Sequence, residues 1–196
     1  MIIIGLTGGI ASGKSSVSKE LSRLGIAVHD ADLVSRQVVA KGSDGLKEIV
    51  KVFGEQFLTQ EGELNRPMMA QLVFNDQDAR SKLNHIVHAA VREDRDKFLQ
   101  AHQNDKIVVL DVPLLIETGL YKEVDKVWLV VVSEAEQIKR AMLRDNFTEE
   151  QVKARIKAQL PFEEKAMHAD LIIDNSGKLE DTIAFVHQEL AKLLGE

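Results

Sequence analysis

The stretch Ile2-Ile3-Ile4-Gly5-Leu6-Thr7-Gly8-Gly9-Ile10-Ala11-Ser12-Gly13-Lys14-Ser15-Ser16 decides the fold. Its first part, Ile2 to Thr7, is short, apolar and rich in β-branched residues, as expected of a strand buried on both faces. From Lys14 onward Val17, Leu21 and Leu24 recur at helical spacing, and Gly25 stands where a helix stops. Between the two, Gly8 to Ser15 has the spacing G-x-x-x-x-G-K-[ST], in the strand–loop–helix setting that this motif requires. The glycines let the backbone curl until successive N–H groups point inward at phosphate oxygens, and the helix start adds its positive dipole end. Gly8, Gly9, Ala11, Ser12, Gly13, Lys14, Ser15 and Ser16 are therefore read as a phosphate cradle. Lys14 would reach the β- and γ-phosphates and the Ser15 hydroxyl would coordinate Mg²⁺. Lys14 is read as a point charge with no part in core packing, so the fold is expected to survive its loss.

Outward from this unit, short apolar runs recur at Ile26-Ala27-Val28, Ile107 to Leu110, Val127 to Val132 and Leu171 to Ile173. Five such strands alternating with helical patterns predict an α/β fold, a doubly wound parallel sheet of the P-loop NTPase type. The stretch from His29 to Lys106 has no strand candidate and is too long for one crossover helix, so it reads as a helical insertion. Its helices are expected over 33–40, 44–53, 67–74 and 76–102. A second, charge-dense helical excursion is expected from Glu134 to His168, and a closing amphipathic helix from Lys178 to Leu194 with Leu179, Ile183, Val186, Leu190 and Leu194 on one side. The chain thus reads as one domain, residues 1–196: a nucleotide-binding core (1–32, 104–139 and 167–196), a helical substrate-binding insertion (33–103) and a lid (140–166).

Composition narrows the class. Of 196 residues, 44% are hydrophobic and 29% charged, the balance of a globular chain able to bury a core. With 25 Lys+Arg against 31 Asp+Glu the net charge is -6, so no global basic field points to nucleic acid or an anionic membrane, and any polyanion must be gripped locally. The longest apolar run, Val127 to Val132, is far short of the roughly 20 residues that span a bilayer. Met1 to Ile4 lacks a basic flank and reads as strand, not as a secretory leader. Absence of Cys excludes disulfides, thiolate zinc sites and cysteine nucleophiles, which fits a reducing, cytoplasmic setting.

Asp111 ends the run Ile107 to Leu110, where P-loop proteins keep an acidic residue that holds Mg²⁺ directly or through water; its alternative is to cap the turn at Pro113. No N-K-x-D guanine-reading motif occurs, so ATP is favoured over GTP. His85 and His88 are three apart but lack the carboxylate pattern of a metal site.

Three groups of residues then carry a family resemblance. They are Leu6-Thr7-Gly8-Gly9-Ile10; Asp30-Ala31-Asp32 with Arg36-Gln37-Val38-Val39; and Asp111-Val112-Pro113-Leu114-Leu115 with Glu117 and Gly119-Leu120. Gln137, Arg140, Arg144-Asp145, Gln159, Lys165, Ala169-Asp170 and Asp174-Asn175 continue the series in order. Over essentially its whole length the chain resembles dephospho-coenzyme A kinases. The resemblance implies transfer of the ATP γ-phosphoryl group to the ribose 3′-hydroxyl of dephospho-CoA, with a mobile lid. Two positions depart from the family pattern: Ala11 stands where Gly is usual, and Ala89 follows His88 where Pro is frequent.

The resemblance makes Asp32 the catalytic carboxylate, accepting the 3′-hydroxyl proton or orienting that hydroxyl; its structural alternative is an N-cap for the helix expected over 33–40. Arg140 and Arg144, four apart on a helix, are read as lid cations turned toward the triphosphate. Their alternative is surface pairing, Arg140 with Glu136 and Arg144 with Glu150 or Asp145. Asn175 matches a family position near the adenine, and a turn before Ser176-Gly177 explains it equally well. The rival functions are another small-molecule P-loop kinase, of nucleoside or nucleotide type, and a nucleotide-dependent switch.

Overall fold

The structure, a computed structural model, describes residues 1–195. Five strands, β1 (Ile2–Gly8), β2 (Ala27–Asp30), β3 (Ile107–Asp111), β4 (Lys126–Val131) and β5 (Leu171–Asp174), form one sheet in the order β2-β3-β1-β4-β5. β1 is central and runs parallel to β3 on one side and to β4 on the other; β5 runs parallel to β4. The helices are α1 (Lys14–Arg23), α2 (Ala31–Gln37), α3 (Asp44–Phe53), α4 (Arg66–Asn75), α5 (Gln77–Ala101), α6 (Glu134–Asp145), α7 (Glu149–Lys157), α8 (Phe162–Ala166) and α9 (Leu179–Leu194). The expected α/β parallel-sheet class is the observed one.

The chain divides into two compact units. The first runs from Met1 to His29 and from His102 onward; the second is Asp30–Ala101. In the first, the period-2 alternation of the strands sorts side chains between the two faces of the sheet. Ile4, Leu6, Val109, Trp128, Val130 and Ile173 pack against Val17 and Leu21 of α1 and Val186 and Leu190 of α9. Val127, in contrast, packs with Leu115 and Ile116 from the segment after β3. Gly5, which pairs in register with Val127, turns the same way: a Cβ there would lie 2.6 Å from Leu115 Cδ2 and 3.1 Å from Val124 Cγ2. In the second unit Val39, Ile49, Phe57 and Met69 form a separate core, closed by Leu83, Ile86 and Val87 of α5.

Several boundaries differ from expectation, each for a local reason. β1, β2, β3 and β5 run past their apolar stretches to Gly8, Asp30, Asp111 and Asp174, because the main-chain ladder, not side-chain polarity, ends a strand. α2 begins at Ala31, not at 33, since Asp30 Oδ1 accepts from the Leu33 N–H at 3.0 Å; the cap is therefore Asp30, and Asp32 sits in the first turn. The excursion after β4 is three helices. Asn146 ends α6 in the left-handed region (φ 55°), a Thr148–Gln151 capping box starts α7, and Pro161 precedes α8. On α9, Leu179 is 47% exposed, and Thr182, absent from the expected stripe, is buried.

The Gly5–Leu115 contact predicts a measurable coupling. Gly5→Ala should destabilise by about 1–3 kcal/mol through overpacking, and Leu115→Ala by about 2–5 kcal/mol through a cavity. In chemical denaturation the double variant should lose less than the sum, because the added methyl enters the vacated space.

Candidate active site

β1 delivers the chain into a loop whose shape depends on the absence of two side chains. A Cβ on Gly8 would lie 2.7 Å from the Val130 carbonyl oxygen of the adjacent strand and 2.5 Å from Ser12 Oγ. Gly13 has φ 88°, and a Cβ there would strike Asn175 Nδ2. Ala11 also adopts positive φ (53°), a conformation that costs a non-glycine residue roughly 1–2 kcal/mol, so the departure noted at this position is a strained one. The loop closes on itself through Ser12 N–H donating to the Gly9 carbonyl at 3.1 Å, and Ser16 N–H donates to Gly13 at 2.9 Å.

Gly13 precedes α1 without supplying a side-chain cap, so the positive end of a ten-residue helix opens on the loop. Ser12 Oγ is buried and has no hydrogen-bond partner. A buried hydroxyl without a partner beside an uncapped helix start is what an anion would satisfy. The cradle thus fits phosphate by its own geometry.

Lys14, the first residue of α1, donates from Nζ to Asp111 Oδ1 at the end of β3. The Asp111 side chain is 3% exposed and that of Lys14 17%, so this is a largely buried ion pair. This corrects the expectation that Lys14 has no structural part: its removal takes the cation from a buried carboxylate, and breaking such a pair costs about 3–5 kcal/mol. The Ser15 hydroxyl and the Asp111 carboxylate are hard-oxygen donors of the kind Mg²⁺ takes alongside phosphates and water.

Asn175, one residue beyond β5, is 5% exposed. Its Nδ2 donates to the Ser12 carbonyl at 2.8 Å, and its Oδ1 accepts from Thr182 Oγ1 of α9 at 3.0 Å. Its amide is thus committed to bracing the loop, which neither the adenine reading nor the turn reading contained. Arg140 of α6 donates from Nη2 to the Asn175 carbonyl at 3.0 Å and from Nε to Glu136 at 2.8 Å. The hydrogen bond from Arg140 holds the Glu136 carboxyl below its ordinary range. Arg144 takes a different partner: both its Nε and Nη2 donate to Asp145 at 2.8 Å, and its guanidinium lowers the Asp145 carboxyl. Of the two arginines, only Arg140 is bonded to the loop's bracing residue.

Asp32 belongs to the second unit, exposed in the first turn of α2. Its backbone carbonyl accepts from Ser35 Oγ, and the capping that would have explained its carboxylate is performed by Asp30. Four further groups had no role assigned from sequence: Thr182, Gln137, Glu117 and Lys165. Gln137 of α6 comes within 3.0 Å of where a Gly9 Cβ would stand. Lys165 donates to Glu117 Oε1 at 2.8 Å with its side chain 4% exposed. A nearly buried lysine is the signal, but 48 residues separate it from its partner in the sequence, so spacing does not reveal the pair.

Residues 2–181 match the family model described as dephospho-CoA kinase. A dephospho-CoA kinase from Bacillus anthracis is 47% identical over 183 residues, 92% of each chain. One from Shouchella clausii is 46% identical over 195 residues, 98% of this chain and 99% of the relative. Among solved structures, a dephospho-CoA kinase from Campylobacter jejuni superposes with a TM-score of 0.74 at 27% identity, covering 97% of both chains. A shikimate kinase from Acinetobacter baumannii, at a TM-score of 0.53 and 16% identity, shares the fold. By its sequence from end to end and by the fold that carries its phosphate cradle, this chain belongs to the dephospho-CoA kinase family.

Proposed function

We propose that this protein transfers the γ-phosphoryl group of ATP to the ribose 3′-hydroxyl of dephospho-CoA, giving coenzyme A and ADP, the last step of coenzyme A biosynthesis. The observation that carries the reading is the convergence of the Gly8–Gly13 loop, the open start of α1 and the Lys14–Asp111 pair in a member of this family. Phosphoryl transfer needs alignment and charge neutralisation more than covalent participation by the protein. The loop N–H groups and the Lys14 ammonium supply both at the donor phosphates. Ser15 and Asp111 would hold Mg²⁺, directly or through water, which would supply charge neutralisation at the donor phosphates. Arg140, tied to the loop through Asn175, is the cation set to meet charge developing on transfer; Arg144 joins it when the lid, residues 140–166, closes. The helical segment 33–103 encloses the acceptor. Asp32, relieved of capping, accepts the 3′-hydroxyl proton or orients the hydroxyl. No helix among the described residues is long and apolar enough to cross a membrane, and the reducing setting implied by the absence of Cys supports a cytoplasmic location.

ADP formation that requires dephospho-CoA, with a product one phosphate heavier by mass spectrometry, tests the reaction itself; ADP release indifferent to the acceptor overturns it. Lys14→Ala should all but abolish turnover and destabilise the fold by about 3 kcal/mol. Adding Asp111→Asn to it should recover part of the melting temperature without recovering activity, because the buried carboxylate that lost the Lys14 ammonium is replaced by a neutral amide.

Asp32→Asn should lower kcat by at least about 10²-fold, the low end for a lost general base. ATP affinity should stay within about tenfold, or 1.4 kcal/mol. Parallel titration and steady-state kinetics on one preparation decide the role. A large loss of ATP·Mg²⁺ binding would place Asp32 at the metal instead.

A further inference from the structure

Ala11 and Asn146 are the described residues other than glycine with positive φ, and Ala11, at 53°, lies inside the phosphate loop. In the left-handed region a Cβ crowds the following carbonyl oxygen, whereas glycine is unstrained there. Left to itself, Ala11 therefore favours a negative φ by roughly tenfold. A change of sign in φ turns the flanking peptide, and its N–H group, out of the cradle. A strained residue persists only where its surroundings over-determine it.

Two hydrogen bonds do this, both at the next residue. The Ser12 N–H donates to the Gly9 carbonyl at 3.1 Å, closing a turn whose third residue is Ala11. Positive φ at that position alone is the geometry that ordinarily calls for glycine. The second bond comes from Asn175, whose Nδ2 donates to the Ser12 carbonyl at 2.8 Å from a side chain 5% exposed. A carbonyl can only accept, so the amide nitrogen must face the loop, and its Oδ1 takes the Thr182 hydroxyl at 3.0 Å. The first bond is local to the turn, whereas the second ties it to the chain after β5 and to α9.

We infer that Asn175, itself oriented by Thr182, is a positioning residue for the nucleotide phosphates: its bond to Ser12 offsets the strain at Ala11 and keeps the loop in the cradle conformation. This rests on the loop being the ATP phosphate site, as proposed above. A loop that is competent in only a fraction of molecules binds more weakly by that fraction. Loss of the brace therefore weakens any polyphosphate, with or without a base attached. A direct contact between Asn175 and the base of ATP is a different arrangement, and here the amide nitrogen and oxygen are both engaged within the protein.

Calorimetric titration with ATP·Mg²⁺ and with inorganic pyrophosphate·Mg²⁺, which has no base, tests this on four proteins: wild type, Ala11→Gly, Asn175→Ala and the double variant. Asn175→Ala should weaken both ligands at least about tenfold. Ala11→Gly removes the strain, so in its background the same Asn175→Ala change should cost less than about threefold. Equal losses in the two backgrounds overturn the inference. So does a loss confined to ATP, which would make Asn175 a contact of the base. Thr182→Val removes only the hydroxyl that orients the amide and serves in place of Asn175→Ala if that variant does not fold. It should weaken pyrophosphate at least about threefold beside Ala11 and not measurably in the Ala11→Gly background; equal effects in both refute the coupling. If wild type binds neither ligand, the proposed ATP site fails separately, and thermal denaturation of the same proteins still decides. Ala11→Gly should raise the melting temperature of wild type by about 2 °C and not raise that of Asn175→Ala, whose loop has already relaxed; equal shifts refute the coupling.

Discussion

The hydrogen bond from Asn175 Nδ2 to the Ser12 carbonyl joins the end of the last strand to the loop after the first. A curled loop that turns its N–H groups inward leaves carbonyls to be satisfied from behind, and a buried carbonyl left alone costs the desolvation of that group. Asn175 meets this need from a buried position, and Thr182 of α9 fixes its other amide atom. Arg140 binds the carbonyl of the same residue. The shape of the cradle, the seating of α9 on β5 and the placement of a cation from α6 thus converge on one residue, the first two through its side chain and the third through its backbone carbonyl. Gly13 has no Cβ because Asn175 occupies that space.

Two ion pairs of different character flank this centre. Lys14–Asp111 is largely buried at the C-terminal end of β3, so the lysine of the loop motif also takes part in the fold. Lys165–Glu117 links α8 to the segment after β3, on the side where Leu115 and Val127 pack. A buried pair is weak evidence for net stability, but its geometry is restrictive. Here Lys165 also fixes the orientation of Gln159, whose Oε1 faces its ammonium. The surface pairs of α6 and α7, such as Lys153–Glu149, have no such consequence.

The parts of the site legible in sequence were those in which a local motif carries its own geometry. Gly8 to Ser15 implied a strand, a curled loop and a helix start because spacing and residue type suffice for each. The position of Asp111 at the end of β3 is legible because it closes an apolar run. Capping at α2 was readable only to within two residues: Asp30 and Asp32 are both competent caps, and the choice followed from where β2 ends. The structural part of Lys14 is not legible in the sequence, because its partner lies 97 residues away.

Periodicity, composition and one local motif therefore determined the α/β class, the parallel sheet, the helical stretch between β2 and β3 and the curled loop between β1 and α1. These depend on hydrogen bonds and burial patterns within short segments. Only the tertiary structure decided that Asn175 braces the loop and that Lys14 neutralises a buried carboxylate. Each of those outcomes depends on which strands lie side by side, and that order, with β3 and β4 flanking β1 and β5 following β4, exists only when the whole sheet has formed.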